Sequence, residues 1–160
     1  MPIRLAHRDD LTNLQQIERA AGEAFRTIGM PEVADDEPFS IEELLAYQGR
    51  TWVYERDGEA VAYLLIDLVD SLFHIEQVTV HPRAARQGIG RALIEHVYAQ
   101  APQQKLTLTT FEQVPWNAPY YRRLNFETFA SPGPELQQVR RREAEHGLDR
   151  WPRLCMIRTH

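Results

Sequence analysis

Residues 78–93 read VTVHPRAARQGIGRAL, and here an apolar strand runs through a glycine-rich turn directly into a helix. Amide groups at a helix N-terminus carry partial positive charge, and glycines let an anion approach the backbone closely. Gly88 and Gly90 occupy the close-approach positions, and Arg86 and Arg91 flank them with guanidinium groups that pair well with phosphate. The stretch therefore predicts a diphosphate-binding loop.

Two familiar phosphate-binding motifs do not fit this loop. No Lys-Ser or Lys-Thr pair follows the glycines, as a Walker loop requires, and the third glycine of the dinucleotide-binding fingerprint is absent. The residues alone also leave open a strand-to-helix turn whose glycines serve only packing.

Length, charge and cysteine content limit the classes of protein to which this chain can belong. The 160 residues fit one compact domain, 1–160, and the formal net charge of −5 argues against a nucleic-acid partner. Cys155 is the one cysteine, so we expect no internal disulfide, a reducing cytoplasmic setting and a small buried side chain at this position. We find no signal peptide, no apolar stretch near the roughly 18 residues of a membrane span, and no metal-ligand spacing.

Hydrophobic periodicity and turn signals predict a mixed α/β layer. Asp57-Gly58 indicates a two-residue hairpin, and Ser40 with Glu43 forms a capping box that opens a helix. We expect the three central strands to form an antiparallel meander, and the strands before and after the helix of the phosphate loop to run parallel. The predicted strands are 3–6, 51–56, 60–69, 72–80, 105–111, 126–129 and 154–157, and the predicted helices are 9–25, 40–47, from the phosphate loop to about 101, 117–124 and 135–146, with a loop at 29–39.

Two motifs in the right order carry a family resemblance. VTVHPRAARQGIGRALI, followed about thirty residues later by NAPYYRRLNF, resembles the GNAT acetyltransferase superfamily. The resemblance implies the GNAT fold over residues 3–129, which is a mixed, mostly antiparallel sheet of six to seven strands flanked by helices, in the order β-α-α-β-β-β-α-β-α-β. The tail from Ser131 lies outside these motifs.

The resemblance also implies a cofactor and the residues that bind it. The co-substrate would be acetyl-CoA, with the pantetheine arm along the strand and the pyrophosphate on the loop. Two positions depart from the family pattern: Ala85 stands at the first position of the loop motif, and Asn125 stands where Gly is usual. Asn tolerates left-handed geometry, so the helix stop is expected to survive. The implied binding residues are Val78, Val80, Arg86, Gln87, Gly88, Ile89, Gly90, Arg91 and Asn117.

Acetyl transfer to an amine needs a base and benefits from an acid. An alkyl ammonium has a pKa near 10.4, so only about one in a few thousand is neutral at pH 7, and a base must remove the proton. Glu76, on the strand leading to the arm, is the expected base, with His74 as the second choice because it shares that parity and histidine titrates near neutrality. Tyr121 matches the family's tyrosine and is the expected acid for the departing thiolate. His81 is expected to end the strand.

The acceptor and the assembly are the least defined features. We expect direct attack by a primary amine of a small molecule, with a protein N-terminus or lysine as the alternative acceptor and a non-catalytic acyl-CoA sensor as the alternative class. The acidic loop at 29–39 is either a solvated face or a surface for a cationic amine. The C-terminal RREAEHGLDRW, residues 141–151, is either a cap specific to this subgroup or the contact of a homodimer.

Overall fold

A computed structural model of the chain describes residues 2–160. These residues form two compact units: unit 1 comprises 2–66 and 76–96, and unit 2 comprises 67–75 and 97–160. The strands are β1 (Ile3–Leu5), β2 (Thr51–Arg56), β3 (Glu59–Val69), β4 (Leu72–Val80), β5 (Leu106–Phe111), β6 (Phe126–Thr128) and β7 (Arg153–Arg158). The helices are α1 (Leu11–Gly22), α2 (Pro31–Ala34), α3 (Ile41–Ala46), α4 (Ile89–Tyr98), α5 (Ala118–Arg122) and α6 (Pro134–Glu145).

The strands form a mixed, mostly antiparallel sheet. They are hydrogen-bonded in the order β1-β2-β3-β4-β5-β7-β6. β4 and β5 pair in parallel through Phe73 with Leu106 and His74 with Thr107, which confirms the predicted crossover through α4. The other pairings for which the register is defined, β1 with β2, β2 with β3, β5 with β7 and β6 with β7, are antiparallel. The fold class predicted from the sequence is therefore confirmed.

Two-residue turns join β2 to β3 and β3 to β4. Asp57 and Gly58 have φ of 54° and 81°, and Asp70 and Ser71 have φ of 53° and 63°. Consecutive positive φ values are those of the tight turn whose twist matches paired antiparallel strands. The meander predicted for β2, β3 and β4 is thus built from two hairpins.

The core of unit 1 lies between the first helices and β2 and β3. One apolar stripe of α1 and the buried face of the strands share a continuous cluster, which the helical and alternating patterns of the sequence predict. Tyr63 lies within this cluster and its hydroxyl donates a hydrogen bond to Glu18 Oε1 at 2.7 Å. The cluster consists of Ala6, Leu11, Leu14, Ile17, Leu44, Val53, Ala60, Tyr63 and Leu65.

In unit 2, the tail from residue 131 docks on the turn between β3 and β4. The Asp70 carboxylate accepts hydrogen bonds from Glu135 N at 2.9 Å and Leu136 N at 3.1 Å, so it caps α6, and the Glu135 carboxylate accepts from Asp70 N in return. A Cβ at Gly133 would lie 2.6 Å from that carboxylate, so a larger residue there would displace Asp70 from the end of α6. Beneath the contact, Leu136 packs with Val69 and Cys155. The thiol is buried, as predicted.

Several predicted boundaries differ from the observed ones. The helix predicted at 9–25 consists of a 3-10 turn, α1 and a second 3-10 segment to Ile28, and the predicted loop at 29–39 contains the short α2. Asp10 is the N-cap of α1, but its carboxylate accepts from His7 N at 2.6 Å and pairs with Arg4, so it makes no cap bond to the helix. The Asp10 carboxylate therefore bonds to a cation and an earlier amide and not to the first amides of α1.

His74 lies in the core of unit 2 and not at its surface. It is 1% exposed, and its Nδ1 lies 2.9 Å from Thr107 Oγ1 on the neighbouring strand. Burial lowers the pKa of His74 to about 4, although Glu143, Asp67 and Asp70 partly oppose the shift. The expectation that His74 titrates near neutrality is therefore wrong.

This burial predicts an acid-dependent loss of stability. The unfolded chain binds a proton at His74 below its ordinary pKa of 6.5, whereas the folded chain stays neutral there until about 4. Its contribution to the free energy of unfolding is therefore fully present above pH 6.5 and is lost as pH falls toward 4, by about 3 kcal/mol in all. Urea unfolding at a series of pH values measures how the free energy of unfolding changes with pH, in the wild type and in His74→Gln, which does not titrate. Equal slopes in the two proteins between pH 4.5 and 7 contradict it.

Candidate functional site

The loop between β4 and α4 has two residues in left-handed conformation. After a short 3-10 turn at Pro82–Ala84, Ala85 is extended, and Arg86 and Gly88 follow with φ of 62° and 76° before α4 begins at Ile89. A left-handed conformation costs a residue with a Cβ about 1 to 2 kcal/mol, which makes Arg86 a strained position. The predicted strand, turn and helix are present as one continuous element.

This conformation leaves a run of backbone N–H groups without acceptors. The first amide that bonds within α4 is Ala92 N, at 3.0 Å from Gly88 O, so those of Ile89, Gly90 and Arg91 are not used by the helix. Those of Arg86, Gln87 and Gly88 donate to no acceptor within residues 2–160. Successive free amides in a turn at a helix N-terminus form a concave anion site. The predicted residues 86–91 are thus brought together, with the donors that a diphosphate requires.

The hairpin between β2 and β3 contacts this loop, which the sequence analysis did not predict. Arg56 Nη1 donates a hydrogen bond to Gln87 Oε1, and Glu59 pairs with Arg83 at 3.5 Å. His81 N, at the start of the loop, donates to Val61 O at 2.9 Å. Arg56 and Gln87 are 31 positions apart, and no local pattern in the sequence links them.

Glu76, Val78 and Val80 share one face of β4. The strand runs without interruption from Leu72 to Val80, and successive side chains of a strand point to opposite faces. These three residues and Gln77 are half-buried, whereas His74, Ile75 and Thr79 are buried. The expected base therefore lies on the same face of unit 1 as the two residues expected along the pantetheine arm.

Asn117 carries an unsatisfied buried atom. It is the N-cap of α5, as predicted, but its side chain makes no cap bond, and its Nδ2 donates only to the Trp116 carbonyl at 3.3 Å. Its Oδ1 is buried and accepts no hydrogen bond. A buried amide oxygen without a donor costs about 1 to 3 kcal/mol, so an N–H group from a ligand would relieve a penalty already present.

Tyr121 is the buried tyrosine of α5. It is 8% exposed and its ring packs edge-on against Tyr120 and Phe126, with centroids 5.4 and 5.7 Å away. Its hydroxyl makes no hydrogen bond with any other group in the described chain. Burial raises the pKa of Tyr121 above its ordinary range, so the phenol stays protonated at neutral pH.

The other candidate groups are placed less favourably. His81 ends its strand as predicted: its Nδ1 accepts from Arg83 N at 3.1 Å, and partial burial lowers its pKa. Burial raises the pKa of the Cys155 thiol, so this residue is a poor nucleophile. In the acidic loop, Asp35 pairs with Arg26 at 2.6 Å and Glu37 lies 3.8 Å from Arg19.

Within residues 2–160, no group of three or more potential ligands is arranged for a metal, and no helix is long and apolar enough to cross a membrane.

Solved structures share this fold over nearly the whole chain. N-acetylglutamate synthase from Neisseria gonorrhoeae, complexed with coenzyme A and N-acetyl-glutamate, is 17% identical with a TM-score of 0.68, and the match covers 98% of this chain and 34% of that one. The PaiA N-acetyltransferase of Thermoplasma acidophilum with coenzyme A is 14% identical, with a TM-score of 0.73 and coverage of 99% and 98%. The ribosomal-protein-S18-alanine N-acetyltransferase of Escherichia coli is 19% identical, with a TM-score of 0.64 and coverage of 98% and 91%.

The sequence matches a family model as well. Residues 11–126 match the acetyltransferase (GNAT) family, and this segment contains the phosphate loop, β4 and α5. The match agrees with the loop of free amides at Gly88 and with the tyrosine at 121. The chain therefore belongs to the acetyltransferase (GNAT) family.

Proposed function

We propose that the protein transfers an acetyl group from acetyl-CoA to a primary amine of a small molecule, by direct attack of the amine on the thioester. The observation that carries the proposal is the run of unpaired amides at residues 86–91, which fits a diphosphate. Acetyl-CoA presents a diphosphate at one end and a reactive thioester at the other. Cys155, buried and with a raised thiol pKa, gives no support to an acetyl-enzyme intermediate.

Each unit contains residues that we assign to the pantetheine arm. The arm contains amide N–H groups, and Asn117 Oδ1 is a buried acceptor that lacks a donor. In unit 1, the half-buried face of β4 offers Val78 and Val80 along the path that the family resemblance implies. We assign Asn117 to the arm through its side chain, and Val78 and Val80 through their backbone.

Glu76 and Tyr121 have complementary roles in the proposed reaction. Glu76, directly or through a water, takes the proton of the ammonium so that the nitrogen attacks the carbonyl carbon and the carbon–sulfur bond breaks. Tyr121 donates a hydrogen bond to the sulfur as its charge develops. Because burial raises the pKa of Tyr121 above its ordinary value, the phenol donates a hydrogen bond to the thiolate and keeps its own proton. The nitrogen loses a second proton as the carbon–sulfur bond breaks, and this proton goes to the sulfur to give the free thiol, while the proton on Glu76 returns to solvent.

The charge distribution of unit 1 favours a cationic acceptor. The unit has nine Arg and no Lys against fifteen Asp and Glu, whereas the loop from His81 to Arg91 contains three arginines and no acid. An acidic surface attracts an ammonium and repels the coenzyme phosphates everywhere except at the basic loop. Since Asp35 and Glu37 already pair with arginines, Glu32 and Asp36 are the loop carboxylates that we assign to long-range attraction.

The acceptor class has one serious alternative. The similar structures include enzymes whose names specify an amino acid derivative and a ribosomal protein, so an N-terminus or a lysine of a protein remains the second candidate. A non-catalytic acyl-CoA sensor is the third, and the presence of Tyr121 and Glu76 argues against it. We take 1–160 as one catalytic domain, because β3, β4 and α4 each contribute residues to both units, and we assign it to a reducing cytoplasm on account of the unpaired Cys155.

Substitution of Gly88 tests the anion site. Gly88→Ala places a Cβ at φ 76°, which costs about 1 to 2 kcal/mol of stability, and it distorts the amides that face the diphosphate. We expect affinity for CoA to fall by about tenfold to a hundredfold, the value of one lost hydrogen bond to a charged group. Calorimetric titration with CoA and thermal unfolding measure the two effects.

Gly29→Ala is the matched control for this experiment. Gly29 has φ 77° and, like Gly88, has open space where a Cβ would stand, but it lies outside the phosphate loop. The control should lose similar stability and keep its affinity for CoA. Equal affinities in both variants and the wild type would remove residues 86–91 from the coenzyme site.

A thiol-release assay tests the reaction and the acid together. The protein is mixed with acetyl-CoA and a panel of simple amines, amino acids, polyamines, aminoglycosides and peptides, and free thiol is followed over time. We expect release with one class of small amine, and a decrease in kcat of about a hundredfold or more for Tyr121→Phe with little change in CoA affinity. Glu76→Gln should lower kcat in the same way, because it removes the base.

Tyr120→Phe is the control, since this neighbouring tyrosine carries the same hydroxyl on the same helix. It should keep the wild-type kcat. Release with peptides alone would move the acceptor to the protein class, and a Tyr121→Phe variant as active as the wild type would refute the acid assignment. Tight CoA binding without release from any acceptor would support the sensor.

A further inference from the structure

The hairpin between β2 and β3 places a third guanidinium at the phosphate loop. Arg56 is the last residue of β2 and is half-buried, and its Nη1 donates to the side chain of Gln87. Gln87 lies between the two left-handed residues, and its own amide is one of the unpaired donors. The contact therefore brings a cation from a distant strand to the side chain of a residue within the anion site of unit 1.

Arg56 has no carboxylate partner, although unit 1 is rich in acids. Arg4, Arg19, Arg26 and Arg83 each pair with at least one Asp or Glu, at 2.6 to 3.8 Å. Within the described chain, Arg56 makes no such pair. A guanidinium has five N–H donors, and the bond to Gln87 uses one nitrogen only.

The geometry points to Arg56 as a binding residue for a phosphate of the coenzyme, with Gln87 orienting its guanidinium. This inference rests on the proposed function and names a contact beyond the loop motif. Gln87 is an uncharged acceptor, so it fixes the side chain without neutralising it. The guanidinium then keeps its charge and most of its donors for a phosphate oxygen. The phosphate belongs either to the diphosphate or to the ribose of the nucleotide.

Calorimetric titration of CoA into Arg56→Gln tests the inference directly. We expect binding about tenfold to a hundredfold weaker than in the wild type at low salt. The ratio should shrink at about 0.5 M salt, where charges separated by more than a few ångströms are screened. Arg56→Lys keeps the charge but loses the planar set of N–H donors. Its affinity for CoA should lie between those of the wild type and Arg56→Gln.

Two further variants separate charge from structure. Arg83→Gln removes the same charge and also breaks a contact between the hairpin and the loop, but Arg83 is exposed and already paired with Glu59. The Arg83→Gln variant should bind CoA less than about fivefold more weakly than the wild type. Gln87→Ala keeps Arg56 and should lower the affinity for CoA by less than Arg56→Gln does. If Arg56→Gln weakens CoA binding no more than Arg83→Gln does, loss of the Arg56 guanidinium has no effect beyond the loss of a contact between hairpin and loop, and the inference is wrong.

Dephospho-CoA and inorganic pyrophosphate identify the phosphate. A defect of Arg56→Gln toward both CoA and dephospho-CoA assigns the contact to the diphosphate, and a defect toward CoA alone assigns it to the ribose phosphate. Unchanged affinity and unchanged salt dependence for both ligands overturn the inference. If the wild type binds pyrophosphate but not CoA, the proposed function fails, and the pyrophosphate titration of Arg56→Gln then decides the role of Arg56 by itself.

Discussion

The backbone N–H groups of residues 86–91 impose the constraint on which the site depends. A strand that passes directly into a helix leaves the first amides of the helix unpaired, and two left-handed residues add the amides before them. Such a segment is costly unless an anion or water satisfies it. Gly88 adopts its left-handed conformation without a Cβ, whereas Arg86 adopts similar geometry with one and adds a cation to the same segment.

The acidic and basic residues of unit 1 lie in different segments, as this constraint requires. The acids of unit 1 lie outside the loop, and several of them neutralise arginines that also lie outside it, such as Arg4 and Arg26. Within the loop, Arg83 pairs with Glu59, whereas Arg86, Arg91 and the nearby Arg56 make no ion pair within the described chain. In unit 2, by contrast, the structure keeps polar groups uncharged: His74 is buried with Thr107, and burial keeps Tyr121 protonated. A basic loop and a protonated tyrosine thus lie in different parts of the chain.

Features set by neighbouring residues were predictable from the sequence. The Ser40 and Glu43 capping box is present at 3.0 and 3.1 Å, the Asp57-Gly58 turn has positive φ at both residues, and Asn125 is left-handed with φ 71°. Each depends on backbone preferences within four positions. The conformation of the phosphate loop was predictable for the same reason.

Features that depend on packing were not predictable in this way. The alternation of β4 placed His74 on the face of Glu76 but gave no measure of its burial, which decides its pKa. Asn117 was expected to cap α5, and its oxygen instead remains without a donor. The contact from Arg56 to Gln87 joins segments that only the β2–β3 hairpin brings together. The roles of Glu76 and Tyr121 remain proposals carried by the family resemblance and by their positions.

Amide hydrogen exchange of the wild type, with and without CoA, tests the central claim most directly. Each of the residues 86–91 has a backbone N–H, and these groups are unpaired in the free protein. The account predicts that saturating CoA slows exchange at these amides more than at the amides of the exposed hairpin turn at Gly58. Saturation with CoA that leaves the exchange of residues 86–91 unchanged would contradict it.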